Sequence, residues 1–336
     1  MLKNLKYLCF FILPLVYKAQ DIHFSQFNGS LLNQSPAFTG FFNGDYRVNA
    51  IYRSQWSSVP VPYSTFSMGG EMRIKPFVNK KEMIGVGITF NNDKAGDANY
   101  GTNQFYFSGS YIIPLKADST LLLSTGLNFG ICQVGFDYSK MTFDNQFDGA
   151  NYNKNIATGE RFNYTNYTFV DFNVGAGLQY ILNSKHKFMY GLGLHHLTNP
   201  VITYQGNRLS KLDFKLSNYI QYTTPISLKV DVIAEALINN QGKYYEIIPH
   251  ASLKYYFNKD LNQAVLGGLS LRARDAFVLR AGYHFKTMQS GIAYDINTSK
   301  FIAATNRRGA FELFINYIIQ TKRSYTAKKR ACPVFM

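Results

Sequence analysis

The sequence predicts an all-β fold: a transmembrane antiparallel β-barrel of about 14 strands, of the kind found in bacterial outer membranes. Three observations predict it: long alternating segments, a composition rich in aromatic and poor in charged residues, and the lack of an apolar run long enough for a membrane helix. The alternation is clearest from Val170 to Tyr180, where one set of alternate residues is apolar and the other is polar or glycine. Successive side chains of a strand point to opposite faces. This segment therefore has one apolar face, and its length of about eleven residues is what a tilted strand needs to cross a bilayer.

The composition separates this chain from soluble proteins. Phe, Tyr and Trp account for 16% of the 336 residues, and Asp, Glu, Lys and Arg also account for only 16%, against roughly 25% charged residues in soluble domains. No stretch of about 18 apolar residues is present that could form a membrane helix. The alternative, a soluble all-β protein, is disfavoured because its strands usually have about five or six residues.

The N-terminus resembles a secretory signal. Lys3 and Lys6 form a positive region, residues 8–16 form a short apolar core, and we expect cleavage after Ala19, so that residues 1–19 form a signal peptide. Cys132 and Cys332 then remain in the mature chain. Two cysteines do not make a disulfide framework, and two unpaired thiols are expected.

The mature chain is predicted to have three parts. Residues 20–45 contain turn residues with little periodicity, and they either fold into the lumen or lie beneath the barrel. Residues 46–319 form the barrel, and residues 320–336 form a basic periplasmic tail. The strands are predicted at 46–54, 64–74, 83–91, 103–115, 120–134, 169–182, 187–197, 212–222, 226–238, 244–257, 264–273, 276–286, 288–297 and 310–319.

The lengths of the connections predict the topology. Bacterial barrels place both chain ends and their short turns in the periplasm, and their long loops outside the cell. With the first strand running outward, residues 135–167 become a long extracellular loop. Long irregular segments are usually functional. This one carries the aromatic residues Phe136, Tyr138, Tyr152 and Tyr164.

The formal net charge is +15, and the predicted topology places much of it on the periplasmic side. A solvated basic rim and a docking face for a periplasmic partner both fit this pattern. Nucleic acid is not an expected partner, because an outer-membrane barrel does not meet it. The residues predicted to bind a periplasmic partner are Lys75, Lys80, Lys81, Lys328, Lys329, Arg330 and Phe335.

The sequence shows no catalytic, cofactor-binding or metal-binding pattern. It lacks a G-x-S-x-G motif, an H-E-x-x-H motif and paired cysteines at metal spacing. We therefore expect neither an enzyme nor a bound cofactor or metal. His195 and His196 follow a glycine-rich strand, so one should face the lumen, hydrogen-bonded to its neighbours, and the other should face the lipid or the interface.

Charged residues at inward strand positions predict a polar network inside the barrel. Opposite charges should pair there, because unpaired charges in a low-dielectric lumen are costly. A structural role for these charges is thus the first interpretation, and ion conduction through the lumen is the second. Glycines such as Gly85 and Gly191 would let the sheet bend and let large luminal side chains lie over the backbone. The predicted network contains Arg272, Arg280, Asp295 and Glu312, with further inward positions at Asp171, Lys229, Asp231, Glu235 and Glu246.

Seven motifs, in order along the chain, carry a family resemblance. They are H-F-S-Q-F (23–27), S-P-A-F-T-G (35–40), Y-R-S-Q-W (52–56), G-L-G-L-H-H-L-T-N-P (191–200), R-A-R-D-A-F-V-L-R-A-G-Y (272–283), G-I-A-Y-D-I-N-T-S-K (291–300) and G-A-F-E-L-F-I-N-Y (309–317). As an ordered set they resemble the PorP/SprF family, outer-membrane proteins of the type IX secretion system in Bacteroidota. The chain end A-C-P-V-F-M also resembles the C-P-x-F ending of some relatives, with Val334 where a basic residue is often seen.

The resemblance implies a non-enzymatic barrel, surrounded by outer-membrane lipids, that assists secretion. Family members associate with a periplasmic lipoprotein ring and peptidoglycan-binding components. Some capture a large surface adhesin through its C-terminal signal domain and anchor it at the cell surface, often for gliding. On this basis Phe136, Tyr138, Tyr152 and Tyr164 are predicted to bind secreted cargo. Two alternatives stay open: a diffusion porin or small-solute channel, which needs an open lumen, and an outer-membrane hydrolase, which needs a converging nucleophile and base.

Overall fold

The computed structural model describes residues 21–56, 61–75, 81–183, 185–204, 210–258, 262–299 and 302–321. Within these residues, fourteen antiparallel strands close into one barrel, which confirms the predicted fold class. The first strand pairs with both the second and the last, so the sheet has no free edge. The predicted signal peptide lies outside the described residues. The barrel strands are β1 (Tyr46–Gln55), β2 (Tyr63–Ile74), β3 (Met83–Ala95), β4 (Tyr100–Pro114), β5 (Leu121–Gly135), β6 (Asn166–Leu182), β7 (His186–His195), β10 (Lys215–Ser227), β11 (Val230–Gln241), β12 (Tyr244–Tyr256), β13 (Gln263–Arg272), β14 (Ala276–Phe285), β15 (Met288–Asn297) and β16 (Arg308–Ile319), and a separate two-stranded sheet contains β8 (Val201–Ile202) and β9 (Ser210–Lys211).

The strands begin and end within a few residues of the predicted positions, and the largest differences are at β10 and β11. The sequence predicts them at 212–222 and 226–238, but a β-bulge between Pro225 and Ser227 lets β10 continue past the proline. The turn to β11 follows at 228–229. Lys229 therefore lies in an exposed turn, and its predicted inward position is wrong.

The outer wall is apolar over the middle of the strands. On β4 the ring of Phe105 meets that of Phe107 edge to face (centroids 4.9 Å apart), Phe107 stacks on Phe129 of β5 (5.7 Å), and all three are exposed. A band of exposed apolar side chains of this kind matches the hydrocarbon core of a membrane. Beyond this band, near the end of β3 and the start of β4, Asn92 donates from Nδ2 to Oδ1 of Asn103 (2.6 Å).

The two ends of the barrel differ. One end, which we call the loop end, carries the long connections, residues 136–165 after β5 and 196–214 after β7. The other, the turn end, carries short turns such as 286–287, together with the start of β1 and the end of β16. The helix α1 (Ile302–Thr305) precedes β16 at the loop end. No helix in the described part of the chain is long and apolar enough to span a membrane.

Residues 21–45, which we call the plug, lie inside the barrel, one of the two positions that the sequence leaves open. At the loop end the main-chain N–H of Asp21 donates to Gln241 (3.2 Å), and at the turn end that of Asp45 donates to the carbonyl oxygen of Ile319 (2.9 Å). The plug therefore runs the length of the lumen. It contains three 3-10 turns, Phe27–Gly29, Leu31–Asn33 and Pro36–Phe38.

The apolar core of the protein lies between the plug and the inner wall. Phe27 and Phe38 are fully buried and pack edge-on against Tyr219 of β10, with centroids 5.8 and 5.4 Å apart. Glycines on the wall allow this close packing: a Cβ atom at Gly126 would overlap the carbonyl oxygen of Pro36. The interior is thus a packed core along the path of the plug.

Candidate functional site

The luminal network forms in the half of the barrel near the loop end, around Arg53 of β1. Its guanidinium lies 3.0 Å from Oδ2 of Asp295 (from Nη2) and donates through Nη1 to Glu312. Arg272 of β13 reaches the same oxygen of Asp295 from Nη2, at 2.5 Å. All four side chains are buried. Two arginines and two carboxylates are therefore paired in a low-dielectric interior, where an unpaired charge would be costly.

The plug joins this network through main-chain donors. The N–H of Ser25 donates to Oε1 of Glu312 (2.7 Å), and the N–H of Gln26 donates to Oε2 of the same carboxylate (2.8 Å). The Ser25 hydroxyl donates to Oδ2 of Asp295 (3.0 Å) and accepts from Arg53 (3.0 Å). Hydrogen bonds to ionised groups are the strong ones. This network therefore fixes the plug at residues 25–26.

Arg280, the remaining member of the predicted network, lies apart from it. Its Nη2 donates to Oδ1 of Asn28 in the plug (2.5 Å), and its Nη1 lies 3.8 Å from Oε2 of Glu235 on β11. Glu235 is buried and accepts from the Tyr219 hydroxyl (2.9 Å) and from Nδ2 of Asn28 (3.2 Å). The predicted network is thus two clusters, and each of them contacts the plug.

The plug segment 35–40 packs on β7. The hydroxyl of Ser35 donates to the carbonyl oxygen of Leu192 (2.7 Å) and accepts from the N–H of Ala37 (3.2 Å), which caps the third 3-10 turn. The ring of Phe38 lies where a Cβ atom at Gly191 would be. Two of the motifs, 35–40 and 191–200, therefore contact each other directly.

A second buried ion pair holds the plug nearer the turn end. Oε1 of Glu71 on β2 accepts from Nε of Arg47 on β1 (2.6 Å), and Oε2 accepts from the N–H of Gly40 (2.7 Å). The Arg47 guanidinium also lies 4.6 Å from the ring centroid of Phe42. The plug is thus held by charged groups at both ends of its path.

His195 and His196 both point into the lumen, so the predicted outward position for one of them is wrong. His196 lies beyond the end of β7 and has a φ of 63°, a left-handed conformation that interrupts the alternation of the strand. Its Nδ1 lies 2.9 Å from Oδ2 of Asp171, and its Nε2 lies 3.5 Å from Oδ2 of Asp21. Nε2 of His195 lies 3.2 Å from the carbonyl oxygen of Gln34.

The pKa of His196 is raised by this environment. Burial by itself lowers the pKa of an imidazole, but the hydrogen bond to Asp171 and the negative charges of Asp21 and Asp171 outweigh it and raise the pKa to about 9. Lys215 of β10 also pairs with Asp21 (Nζ to Oδ2, 2.8 Å). Below that pH, two cations therefore hold Asp21 at the loop end.

The loop after β5 contains the four aromatic residues predicted to bind cargo, and two of them form one cluster. Phe136 packs on Phe162 and on Tyr204, both with centroids 5.1 Å apart, and Tyr138 packs on Phe162 at 5.6 Å. Tyr204 belongs to the loop after β7, so the two long connections form a joint surface. A cleft of about 570 Å³, lined mainly by polar residues, opens beside Phe136 and Tyr138.

The other two aromatic residues lie outside this cluster. The side chains of Tyr152 and Tyr164 are 49% and 61% exposed. The Tyr152 hydroxyl donates to Oε1 of Gln146 (3.3 Å), and the ring of Tyr164 lies 5.6 Å from that of Tyr167. Both rings are therefore supported on one side and accessible on the other.

At the turn end, two of the predicted docking residues are described. Lys75 follows β2 and Lys81 precedes β3, and both are exposed. The ammonium of Lys81 donates to the carbonyl oxygen of Ala117 in the neighbouring turn. The remaining predicted docking residues lie outside the described part of the chain: Lys80, Lys328, Lys329, Arg330 and Phe335.

The described residues contain no group of three or more His, Cys, Asp or Glu side chains placed to hold a metal ion.

Cys132 is buried, and its thiol donates to the Tyr106 hydroxyl (3.2 Å), which donates to Oδ2 of Asp171 (2.8 Å). These groups extend the hydrogen bonding around Asp171. Cys332 lies outside the described residues.

Sequence analysis missed several members of the site. Arg53, Ser25 and Gln26 lie in two of the family motifs, but nothing in the spacing connects them with the charged residues of β13 to β16. One signal was available for Arg53: the alternation of β1 places it on the same inward face as Arg47 and Asn49.

Comparison with known proteins identifies the family of this chain. Residues 16–317 match the family model described as type IX secretion system membrane protein PorP/SprF. No curated protein sequence matches the chain.

Solved structures resemble this chain at low identity. The toluene transporter TbuX of Ralstonia pickettii is 10% identical over 85% of this chain and 92% of that chain, with a TM-score of 0.49. A Pseudomonas aeruginosa FadL homologue is 9% identical over 84% and 92%, with a TM-score of 0.47. The translocator domain of the autotransporter NalP from Neisseria meningitidis is 10% identical over 87% and 94%, with a TM-score of 0.41. Likenesses at these scores do not imply a shared function.

Proposed function

Since the chain belongs to the PorP/SprF family of type IX secretion system membrane proteins, an outer-membrane β-barrel, we propose that it is a non-enzymatic accessory barrel of the secretion machinery. In this proposal it helps to export a large cargo adhesin and anchors it at the cell surface. Gliding is one process that the anchored adhesin would serve. The cargo binds at the loop end, outside the cell, through its C-terminal signal domain. The turn end faces the periplasm and docks on the lipoprotein ring or on peptidoglycan-binding components.

The observation that carries this proposal is the plug. Residues 21–45 run the length of the lumen and are held by buried charge networks at Glu312 and Glu71. A diffusion porin needs a continuous aqueous path, whereas this interior contains a packed core that includes Phe27 and Phe38. A barrel of this construction is suited to act as a scaffold, with its partners bound on its two faces.

The loop end supplies a surface suited to a protein partner. Interfaces are enriched in aromatic residues that are fixed in place before binding. Tyr152 and Tyr164 are exposed and supported from one side, and the cluster around Phe136 ties together the two long loops beside them. The proposed cargo site is therefore this joint surface.

The turn end supplies a basic surface. Lys75, after β2, and Lys81, before β3, are exposed, and the predicted tail adds further positive charge. Long-range attraction of this kind raises association rates and weakens with salt. Changing Lys75 and Lys81 to Glu should thus weaken partner co-purification in a salt-sensitive way.

The test compares conductance with cargo binding. The purified barrel in a planar bilayer should show no steady conductance, and it should bind an isolated cargo C-terminal signal domain. Tyr152→Ala and Tyr164→Ala should weaken that binding by about tenfold or more, because truncated aromatic anchors commonly cost over 1 kcal/mol. Tyr255→Ala is the matched control, since Tyr255 is also an exposed tyrosine but lies near the turn end of β12, away from the proposed cargo surface. Steady conductance of the wild-type barrel without cargo binding would favour the porin instead.

A further inference from the structure

The plug leaves one part of the lumen unfilled. A cavity of about 140 Å³ lies between the plug and strands β10 to β16. It extends from Gln26 in the plug to His284, which is one residue before the end of β14 at the turn end. Arg280, Lys254 and Glu235 also line it. The cavity therefore reaches towards the periplasmic side of the barrel.

Two buried donors in this cavity have no hydrogen-bond partner. Nε2 of Gln26 and Nη1 of Arg280 are both unpaired, although Gln26 is only 1% exposed and the Arg280 side chain only 8%. The nearest carboxylate to Arg280, that of Glu235, lies 3.8 Å away. It already accepts hydrogen bonds from Tyr219, Gln221 and Asn28. Buried donors normally have partners, so these two N–H groups are available to a bound acceptor.

Lys254 adds positive charge nearer the turn end. Its ammonium lies 4.8 Å from the ring centroid of Tyr256, and its cross-strand neighbour Asp231 accepts the Tyr256 hydroxyl (2.8 Å). Lys254 is half-buried, so it is within reach of a ligand that arrives from the periplasm. An anion is thus attracted along the route that leads to Arg280.

The cavity also offers an acceptor. Nε2 of His284 lies 2.6 Å from the carbonyl oxygen of Lys286, so Nε2 carries the proton and Nδ1 is left as an acceptor, which is also unpaired. A carboxylate has no hydrogen to donate, but a hydrogen phosphate has both acceptor oxygens and a hydroxyl. A hydrogen phosphate therefore offers both kinds of group that the unpaired atoms lining this cavity require, acceptors for the two donors and a donor for the acceptor.

We propose that this cavity is an oxyanion site that binds a small phosphate between the plug and the inner wall. The bound anion accepts from Gln26 on the plug and from Arg280 on β14, and so joins the two. The proposal rests on the fold and on these side chains, independently of the proposed role in secretion.

The experiment is calorimetric titration of the full barrel in detergent with sodium phosphate, and with sodium acetate or sodium chloride at equal ionic strength. We expect saturable binding of one phosphate per barrel and none of chloride. Lys254→Met and Arg280→Lys should each weaken phosphate binding by about tenfold, because a lysine does not reproduce the fork of an arginine. Lys94→Met, a change at the loop end, is the control and should bind phosphate as the wild type does.

Each outcome decides the proposal. Saturable phosphate binding that both luminal variants weaken supports the site, whereas acetate binding of equal strength would overturn the assignment to phosphate, because acetate has no hydrogen to donate to His284. Absence of saturable binding by both phosphate and acetate overturns it. So does phosphate binding that Lys254→Met leaves unchanged, since Lys254 is not part of the packed core and this variant should fold.

Discussion

Glu312 connects the plug to the barrel wall, and replacing it should release the plug. In the wild type, its two oxygens accept the main-chain N–H groups of Ser25 and Gln26, and Oε1 also accepts from Arg53. In Glu312→Ala the two N–H groups lose their acceptor while still buried, and Arg53 keeps only Asp295 as its carboxylate.

The size of the effect follows from these contacts. A buried donor left without a partner costs about 1–3 kcal/mol, and two are created. Arg53 retains an ion pair at 3.0 Å, so the further loss is smaller than the roughly 3–5 kcal/mol of a fully broken buried pair. The two donors alone therefore cost about 2–6 kcal/mol, which raises the population of released plug by about one to four orders of magnitude, at about 1.4 kcal/mol per factor of ten.

Two measurements check this expectation. Released plugs should appear as transient conductance in planar bilayers, and the temperature at which the heat-modifiable gel band shifts should fall. Glu312→Gln keeps one acceptor and should show a smaller effect of the same kind, which covers the case in which the alanine variant fails to insert. Glu160→Ala, on the exposed loop, should change stability by no more than about 0.5 kcal/mol. A Glu312→Ala barrel that is as silent and as heat-stable as the wild type would refute the reasoning.

Three further predictions test the outer wall, the loop end and the packing of the plug. Val174→Arg, at mid-membrane on the outer face of β6, should cost about 2–4 kcal/mol, whereas Thr168→Arg near the loop end of the same strand should cost about 0–1; equal folding yields of the two on heat-modifiable gels would contradict the assigned depth. His196 has a folded-state pKa of about 9, above its unfolded value of 6.5, so its contribution to stability is complete below pH 6.5 and is lost as pH rises through 9. Thermal melts from pH 6 to 10 should show that loss, and His196→Gln should flatten it; parallel curves for both proteins would exclude the assignment. Gly126→Ala should disturb the plug, because its Cβ atom would overlap Pro36, while Gly109→Ala, whose Cβ atom would lie 4.0 Å from the carbonyl oxygen of Gly85 at ordinary contact distance, should melt as the wild type does.

The strands could be predicted because their signal is local. Alternation within β6 alone defines its two faces, and the structure leaves Val170 exposed and buries Asp171. Boundaries failed where one residue changed the backbone, as at the bulge after Pro225 and at His196, whose positive φ turns a second histidine inward. No periodicity encodes such single-residue events.

The plug could not be placed from the sequence for a different reason. Residues 21–45 have no alternation, and their partners are spread along the chain, up to 287 positions away in the case of Ser25 and Glu312. Contacts of this separation are set by how the barrel closes, which no local pattern reports. The sequence therefore identified most of the charged side chains of the lumen but neither their pairing nor what they hold.

The family motifs gain a physical meaning once the plug is in place. Motifs 23–27, 52–56, 272–283, 291–300 and 309–317 each contribute at least one residue to the network around Arg53. Motifs 35–40 and 191–200 contact each other through Ser35 and Phe38. All seven motifs therefore contribute contacts that fix the plug inside the closed barrel. The loop 136–165 contains none of them, so under the proposed function the residues that choose one cargo over another should lie there, where changes to the surface leave the plug and its network untouched.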